Sequence, residues 1–292
     1  VKTITVSTEI YRSRYKGWFR QLCFLNGTWN VVSTWIVLGL FIALALVADI
    51  LPLQNPTAVN ASEMLQPPSS SHWFGTDPWG MDVFSRTICA IRVDFLLAVS
   101  SVILGILAGV PLGAIAGFFG GFLDDLLTRF AEVIQSFPQM LFGMAVLALL
   151  GNNIINLIFI CAFYNIPTYA RLVRSVVSPL READFVQAAK VSGNTSLMIV
   201  FRHLIPNALV PVFSQFPLSC AWAIQIIAGL SFIGLGIRAP TPEWGSMINL
   251  GANYIVFGKW WPSVFPGLAI VISVWMLSNL GNQLKSIFFA ER

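Results

Sequence analysis

The chain is poor in the residues on which enzyme chemistry usually rests. It has two histidines, His72 and His203, and four cysteines among 292 residues. Cys23, Cys89, Cys161 and Cys220 stand far apart without a CxxC pair, so neither a disulfide framework nor a cysteine metal site is suggested. Two histidines exclude a His-rich centre. No HExxH, no GxSxG and no recognisable Ser–His pair occurs. There is also no GxxxxGK[ST] run, so this chain is expected to bind no cofactor and no nucleotide by a phosphate loop. Charge is scarce as well, at 10% of residues, against roughly a quarter in soluble domains. None falls in 133–170 or in 260–284. No enzyme is expected.

What fills the sequence is hydrocarbon. It is 56% hydrophobic, with a mean hydropathy of +0.75. A membrane span takes about 20 apolar residues, and these runs lack the polar face of a surface helix in a soluble protein. The pattern predicts an all-α membrane protein with six transmembrane helices, near 31–50, 95–119, 126–150, 154–173, 218–235 and 261–280. Residues 1–30 read as a cytoplasmic tail, and 31–50 as an uncleaved anchor rather than a signal peptide. Residues 51–94 read as an extracytoplasmic loop rich in Pro and Ser, either functional or a solvated cover. A five-helix core follows at 95–285, with a final tail at 286–292. Within it, 204–217 is expected to be a short interfacial helix, with Pro206 ending the helix before it, and 236–259 an outer loop.

The net charge of +4 and pI near 9.0 reflect topology rather than nucleic acid. With six spans, 13 of the 17 basic residues fall on one side, which places both termini in the cytoplasm. Five spans, with one terminus outside, is the rival arrangement. Asp49 and Glu132 are the only acidic residues in the predicted spans, each near an end. Proton-coupled carriers place ionisable groups at mid-depth, so a secondary carrier is disfavoured. Transport by this chain would need energy from elsewhere.

Two patterns are more specific. Gly105, Gly109, Gly113 and Gly117 recur every four residues, a stripe that admits close approach of another helix, in this chain or in another subunit. The second is the polar island 181–207 between apolar runs. Phe185, Ala188, Ala189 and Ser192 share a helical face. Gly193 stops that helix, and Asn194 or Thr195 can cap the next. From the residues alone, two interfacial helices and a docking handle are comparable readings.

Gln187-Ala188-Ala189, then Gly193, then His203-Leu204-Ile205-Pro206 reproduce the spacing of the cytoplasmic coupling loop of binding-protein-dependent ABC importer permeases: Glu-Ala-Ala, three residues, Gly, nine residues, Ile-x-Leu-Pro. Gln187 replaces the acid, and His203 and Ile205 replace Ile and Leu. Gly75-Thr76-Asp77-Pro78-Trp79-Gly80-Met81-Asp82 is similar to the GTDxxGRD segment of the dipeptide, oligopeptide and nickel permease group, with Met81 in place of Arg. The runs 230–236, 240–245 and 265–269 also match that group.

The resemblance implies a type I ABC importer permease in a bacterial or archaeal plasma (inner) membrane. Its partners would be a homologous second permease, two ATPase subunits holding ATP and Mg, and an extracytoplasmic substrate-binding protein. Phe185, Gln187, Ala188, Ala189, Gly193, Arg202, His203 and Pro206 would couple to an ATPase subunit. Gly75, Thr76, Asp77, Gly80, Asp82, Glu243 and Trp244 would meet the binding protein. Peptides are the leading substrate, with nickel, opines or sugars as alternatives.

Overall fold

A computed structural model describes residues 27–289 apart from Asp49 and Pro52. Most of the N-terminal tail and Arg292 lie outside the described residues, as does Asp49. The helices are α1 (Thr28–Val47), α2 (Val83–Phe119), α3 (Gly121–Ser136), α4 (Gln139–Leu150), α5 (Ile154–Leu180), α6 (Asp184–Val191), α7 (Ser196–Ile199), α8 (Ile205–Phe232), α9 (Trp244–Ala252) and α10 (Trp261–Phe289). Among the described residues, five stretches are long and apolar enough to cross a membrane, and a sixth forms if α3 and α4 count as one broken span. The fold is an all-α membrane bundle.

The axis of the bundle is α2 lying along α5, and the glycine stripe explains the contact. A Cβ on Gly105 would come 2.5 Å from the Asn165 Cβ, on Gly109 2.6 Å from the Ile166 carbonyl oxygen, and on Gly113 2.1 Å from the Ala170 carbonyl oxygen. Only glycine lets the two backbones approach this closely. The stripe's partner is therefore inside the chain.

Three boundaries differ from the sequence expectation, each for a local reason. α2 begins twelve residues before the predicted span, because Asp82 caps it: its carboxylate accepts from Ser85 N at 2.7 Å. At 37 residues the helix is about 55 Å long, so its first turns stand clear of a hydrocarbon layer of about 30 Å. The predicted third span is broken, α3 and α4 meeting at 81°. Pro138 forces extended backbone on Phe137 (φ −87°, ψ 130°), and the Tyr164 hydroxyl donates to the freed Phe137 carbonyl at 2.9 Å.

The third difference is at Pro206, which does not end a helix. α7, a π turn at Val200–Leu204 and α8 form one rod, Ser196–Phe232. Pro206 sits in the first turn of α8, where proline is tolerated. The Asn207 amide donates to the His203 carbonyl at 2.6 Å. The expected interfacial helix at 204–217 is thus part of the span itself.

Loop contacts separate the bundle's two ends. At one, Arg86 Nη1 donates to the carbonyls of Pro56 (2.7 Å) and Pro240 (2.9 Å), and Asn152 reaches Gly234. This is the cap end. At the other, Arg174 pairs with Asp124, and the Gly120–Gly121 turn lies beside Arg181.

Candidate functional site

Away from the cap, the chain leaves α5 and forms the short helix α6. Asp184 in its first turn and Lys190 in its last suit the helix dipole. It closes as expected at Gly193, whose φ is +81°. Gly193 N donates to the Lys190 carbonyl at 3.0 Å, and Asn194 N to the Ala189 carbonyl at 3.2 Å, the paired bonds of a left-handed helix end. Nothing lies near the Gly193 Cα that a Cβ would strike, so backbone conformation rather than packing asks for glycine. Thr195 then caps α7 by accepting from Met198 N.

The face expected to dock splits in two. Val186 and Ala189, three residues apart, turn inward and join the core with Ile199, Val200 and Leu204. Ala189 thus seats α6 on its own chain and is closed to a partner. Phe185 (41% exposed), Ala188 and Ser192 face out, as do Arg202 and Pro206, with His203 half-buried. Gln187 lines a polar cavity of about 350 Å³ together with Arg181, Lys190, Ser196 and the end of α2 at Phe118. Lys190 Nζ lies 5.7 Å from the Phe118 ring centre. An acid in place of Gln187 would share that cavity with Arg181 and Lys190 and with a second acid, Glu182, which already pairs with Arg181 at 3.3 Å.

The cap holds the second set of expected contact residues. All seven residues assigned to meet a binding protein are buried. Asp77 Oδ1 accepts from Trp79 N at 2.8 Å and Met81 N at 2.9 Å, and its other oxygen lies 3.6 Å from Arg86 Nε. Burial raises the Asp77 pKa, against the Met81 N–H and the Arg86 charge. Asp82, besides capping α2, meets His72 Nδ1 at 2.9 Å. The Thr76 hydroxyl donates to the Glu63 carbonyl. Gly75 and Gly80 have φ of +73°, and a Cβ on Gly80 would fall 1.8 Å from the Asn60 carbonyl oxygen.

Glu243 caps α9 by accepting from Gly245 N (2.8 Å) and Ser246 N (2.7 Å); burial raises its pKa, against those N–H groups. Trp244 N donates to Asp94 Oδ2 at 3.2 Å, and its indole donates to the Thr87 carbonyl at 3.0 Å. These residues build the cap from within. Its surface is made by others, including Trp73 (65% exposed), Trp79 (39%) and Arg238.

Sequence reading missed Asp94, which was assigned to a loop and lies buried inside α2. It ties α9 to α2, a task that explains an acid in an apolar helix without a proton pathway. It also missed Trp261, whose indole donates to the Thr76 carbonyl at 3.0 Å. Asp82 before an apolar run, three residues ahead of Ser85, was the available signal for the earlier helix start.

The features describe a multi-pass membrane protein: helices long enough to cross a bilayer, a folded cap at one end and an exposed short helix at the other. Residues 109–289 match the family of binding-protein-dependent transport system inner membrane components. The chain is 37% identical over 250 residues to a dipeptide transport system permease protein of Alkalihalophilus pseudofirmus, covering 86% of this chain and 82% of that one. It is 32% identical over 276 residues to a probable D,D-dipeptide transport system permease protein of Escherichia coli (94% and 92% covered). To the nickel transport system permease protein of Escherichia coli it is 33% identical over 262 residues (90% and 94%). The chain belongs to this family of importer permeases.

Proposed function

We propose that this chain is the transmembrane subunit of an ATP-driven importer of di- or oligopeptides, coupled to an ATPase subunit through α6. The observation that carries this reading is the exposed outward side of α6, with Phe185, Ala188 and Ser192 raised on a seat formed by Val186 and Ala189. A protruding apolar residue beside small ones suits insertion into a cleft. A homologous second permease completes the pathway, two ATPase subunits bind ATP and Mg, and a substrate-binding protein docks on the cap. Both termini lie in the cytoplasm with α6, in a bacterial or archaeal inner membrane.

Chemically, the chain's part is to transmit force. Closure of the ATPase pair pushes α6, which is continuous through the Gly193 turn with the rod Ser196–Phe232. The rod ends beneath the cap, where Gly245 of α9 packs on the α8 backbone at Ala228. A push at one end thereby reaches the other. Peptide as cargo rests on the dipeptide relatives, while the nickel relative marks the alternative.

The test is Ala188→Trp in the reconstituted complex, measured by ATPase co-purification and by peptide-stimulated ATP hydrolysis. Loss of either, with the permease still folded, is the expected outcome. Unchanged association and stimulation would remove α6 as the coupling element. Radiolabelled peptide against nickel uptake separates the two cargoes.

A further inference from the structure

We infer that the fold contains a seat for one acyl chain of a membrane phospholipid, between α1 and the rest of the bundle. It rests on the chain's place in a bilayer and is independent of coupling and cargo. α1 is fastened near its two ends by polar bonds. Toward the α6 end, the Gln283 amide donates to the Asn30 carbonyl at 3.3 Å and to the Thr34 hydroxyl at 3.1 Å. Toward the cap, Arg92 donates to the Ala45 carbonyl through Nη2 at 2.7 Å and Nε at 3.1 Å. Between these fastenings Phe41 packs into the core, its ring 5.8 Å from that of Phe95, and beside it a cavity of about 250 Å³ remains.

Its wall includes Leu38, Phe41, Ala45, Phe95, Cys220 and Leu277, and no polar surface faces it. That lining selects the occupant. Water needs polar partners, and apolar cavities of this kind stay dry while accepting apolar guests. An extended peptide would leave its N–H and C=O groups unsatisfied against such a wall. An unfilled void forfeits the dispersion contacts of its lining.

A hydrocarbon chain meets all these conditions, and the bilayer supplies it from the side. Leu38 to Ala45 is seven residues, about 10 Å of helix rise, which sets the depth of chain held. The outer side of α1 is bare, with Leu40 53% and Leu46 71% exposed, so α1 has lipid on both sides. The lipid then completes the packing of α1 against α2, α8 and α10, beside the direct contact of Phe41 with Phe95.

Photolabelling tests the assignment. The full-length chain, with any subunits it carries, is placed in bilayers containing phosphatidylcholine with a diazirine in mid-chain, irradiated and mapped by peptide mass spectrometry. Labels are expected on 38–45 and 216–220, resisting dilution with unlabelled lipid longer than labels on the exposed Leu149 and Ile155. Ala45→Leu and Cys220→Leu, which fill the cavity from opposite walls, should each lower the slot labels at least fivefold while leaving Leu149 and Ile155 labelled as before. That unchanged labelling, with a normal size-exclusion profile, reports a folded chain. Slot labelling that exchanges as fast as at Leu149, or persists in both folded variants, would overturn the proposal.

Discussion

The cap and the α6 segment share a feature in sequence, since each carries a recognisable motif, but they differ in what the motif residues do. In the cap every motif residue singled out is buried and bonded to backbone: Asp77 and Glu243 to N–H groups, Trp244 to a carbonyl. In the segment the motif divides, with Ala189 buried and Ala188, one residue earlier, exposed. A recognisable motif therefore marks a fixed shape at one end and a shape plus a contact surface at the other. Losses in the cap should appear as instability. Losses on the outward side of α6 should appear as failed coupling in a stable protein.

Substitutions can break or sharpen that contrast. The largest effect is expected from Gly80→Val, which adds a side chain where even a Cβ would strike the Asn60 carbonyl oxygen, at a positive φ. A destabilisation above about 4 kcal/mol should leave little monodisperse protein on size-exclusion chromatography. Trp244→Ala removes a fully buried ring and its indole bond; a loss of about 3–5 kcal/mol should show in thermal unfolding. Asp82→Ala uncaps α2 and removes the partner of His72 Nδ1, leaving Glu63 3.6 Å from Nε2. About 1–2 kcal/mol is expected, with Asp82→Asn retaining part of it because an amide oxygen can still cap.

The α6 pair is the sharpest comparison. Ala189→Trp should lower the melting temperature clearly, because position 189 is packed into the core. Ala188→Trp should change stability by less than about 0.5 kcal/mol while abolishing peptide-stimulated ATP hydrolysis. If both substitutions destabilise equally, α6 is only a structural helix and the contrast between the two ends disappears. The smallest effect is expected of Gln187→Glu: the new acid meets Lys190 and an Arg181 already paired with Glu182 across the cavity, an exposed ion pair worth about 0–1 kcal/mol. ATPase association should stay unchanged in a pull-down.

Much of this was legible locally. The Gly193 turn is set by neighbours within a few residues and stands as read, and of the two candidate caps, Asn194 and Thr195, the structure uses Thr195. Arg129 and Glu132, three apart on one helix, lie 3.8 Å apart, a contact their spacing alone permits. Pro138 and Pro206 show the boundary of such reading. Both are prolines between apolar stretches, yet one breaks a span and the other enters a helix, because a π turn upstream of Pro206 absorbs the register. Nothing within a few residues decides between those outcomes.

By itself the sequence determined the medium, the helical class and the presence of a glycine stripe, since apolar length and four-residue spacing are properties of the chain alone. Tertiary structure decided which helix the stripe meets, because contact with Asn165 and Ala170 requires α5 to return beside α2. It also decided that the cap motif faces inward. Asp94 and Trp244 are 150 residues apart, and a bond of that range exists only once the bundle has closed around it.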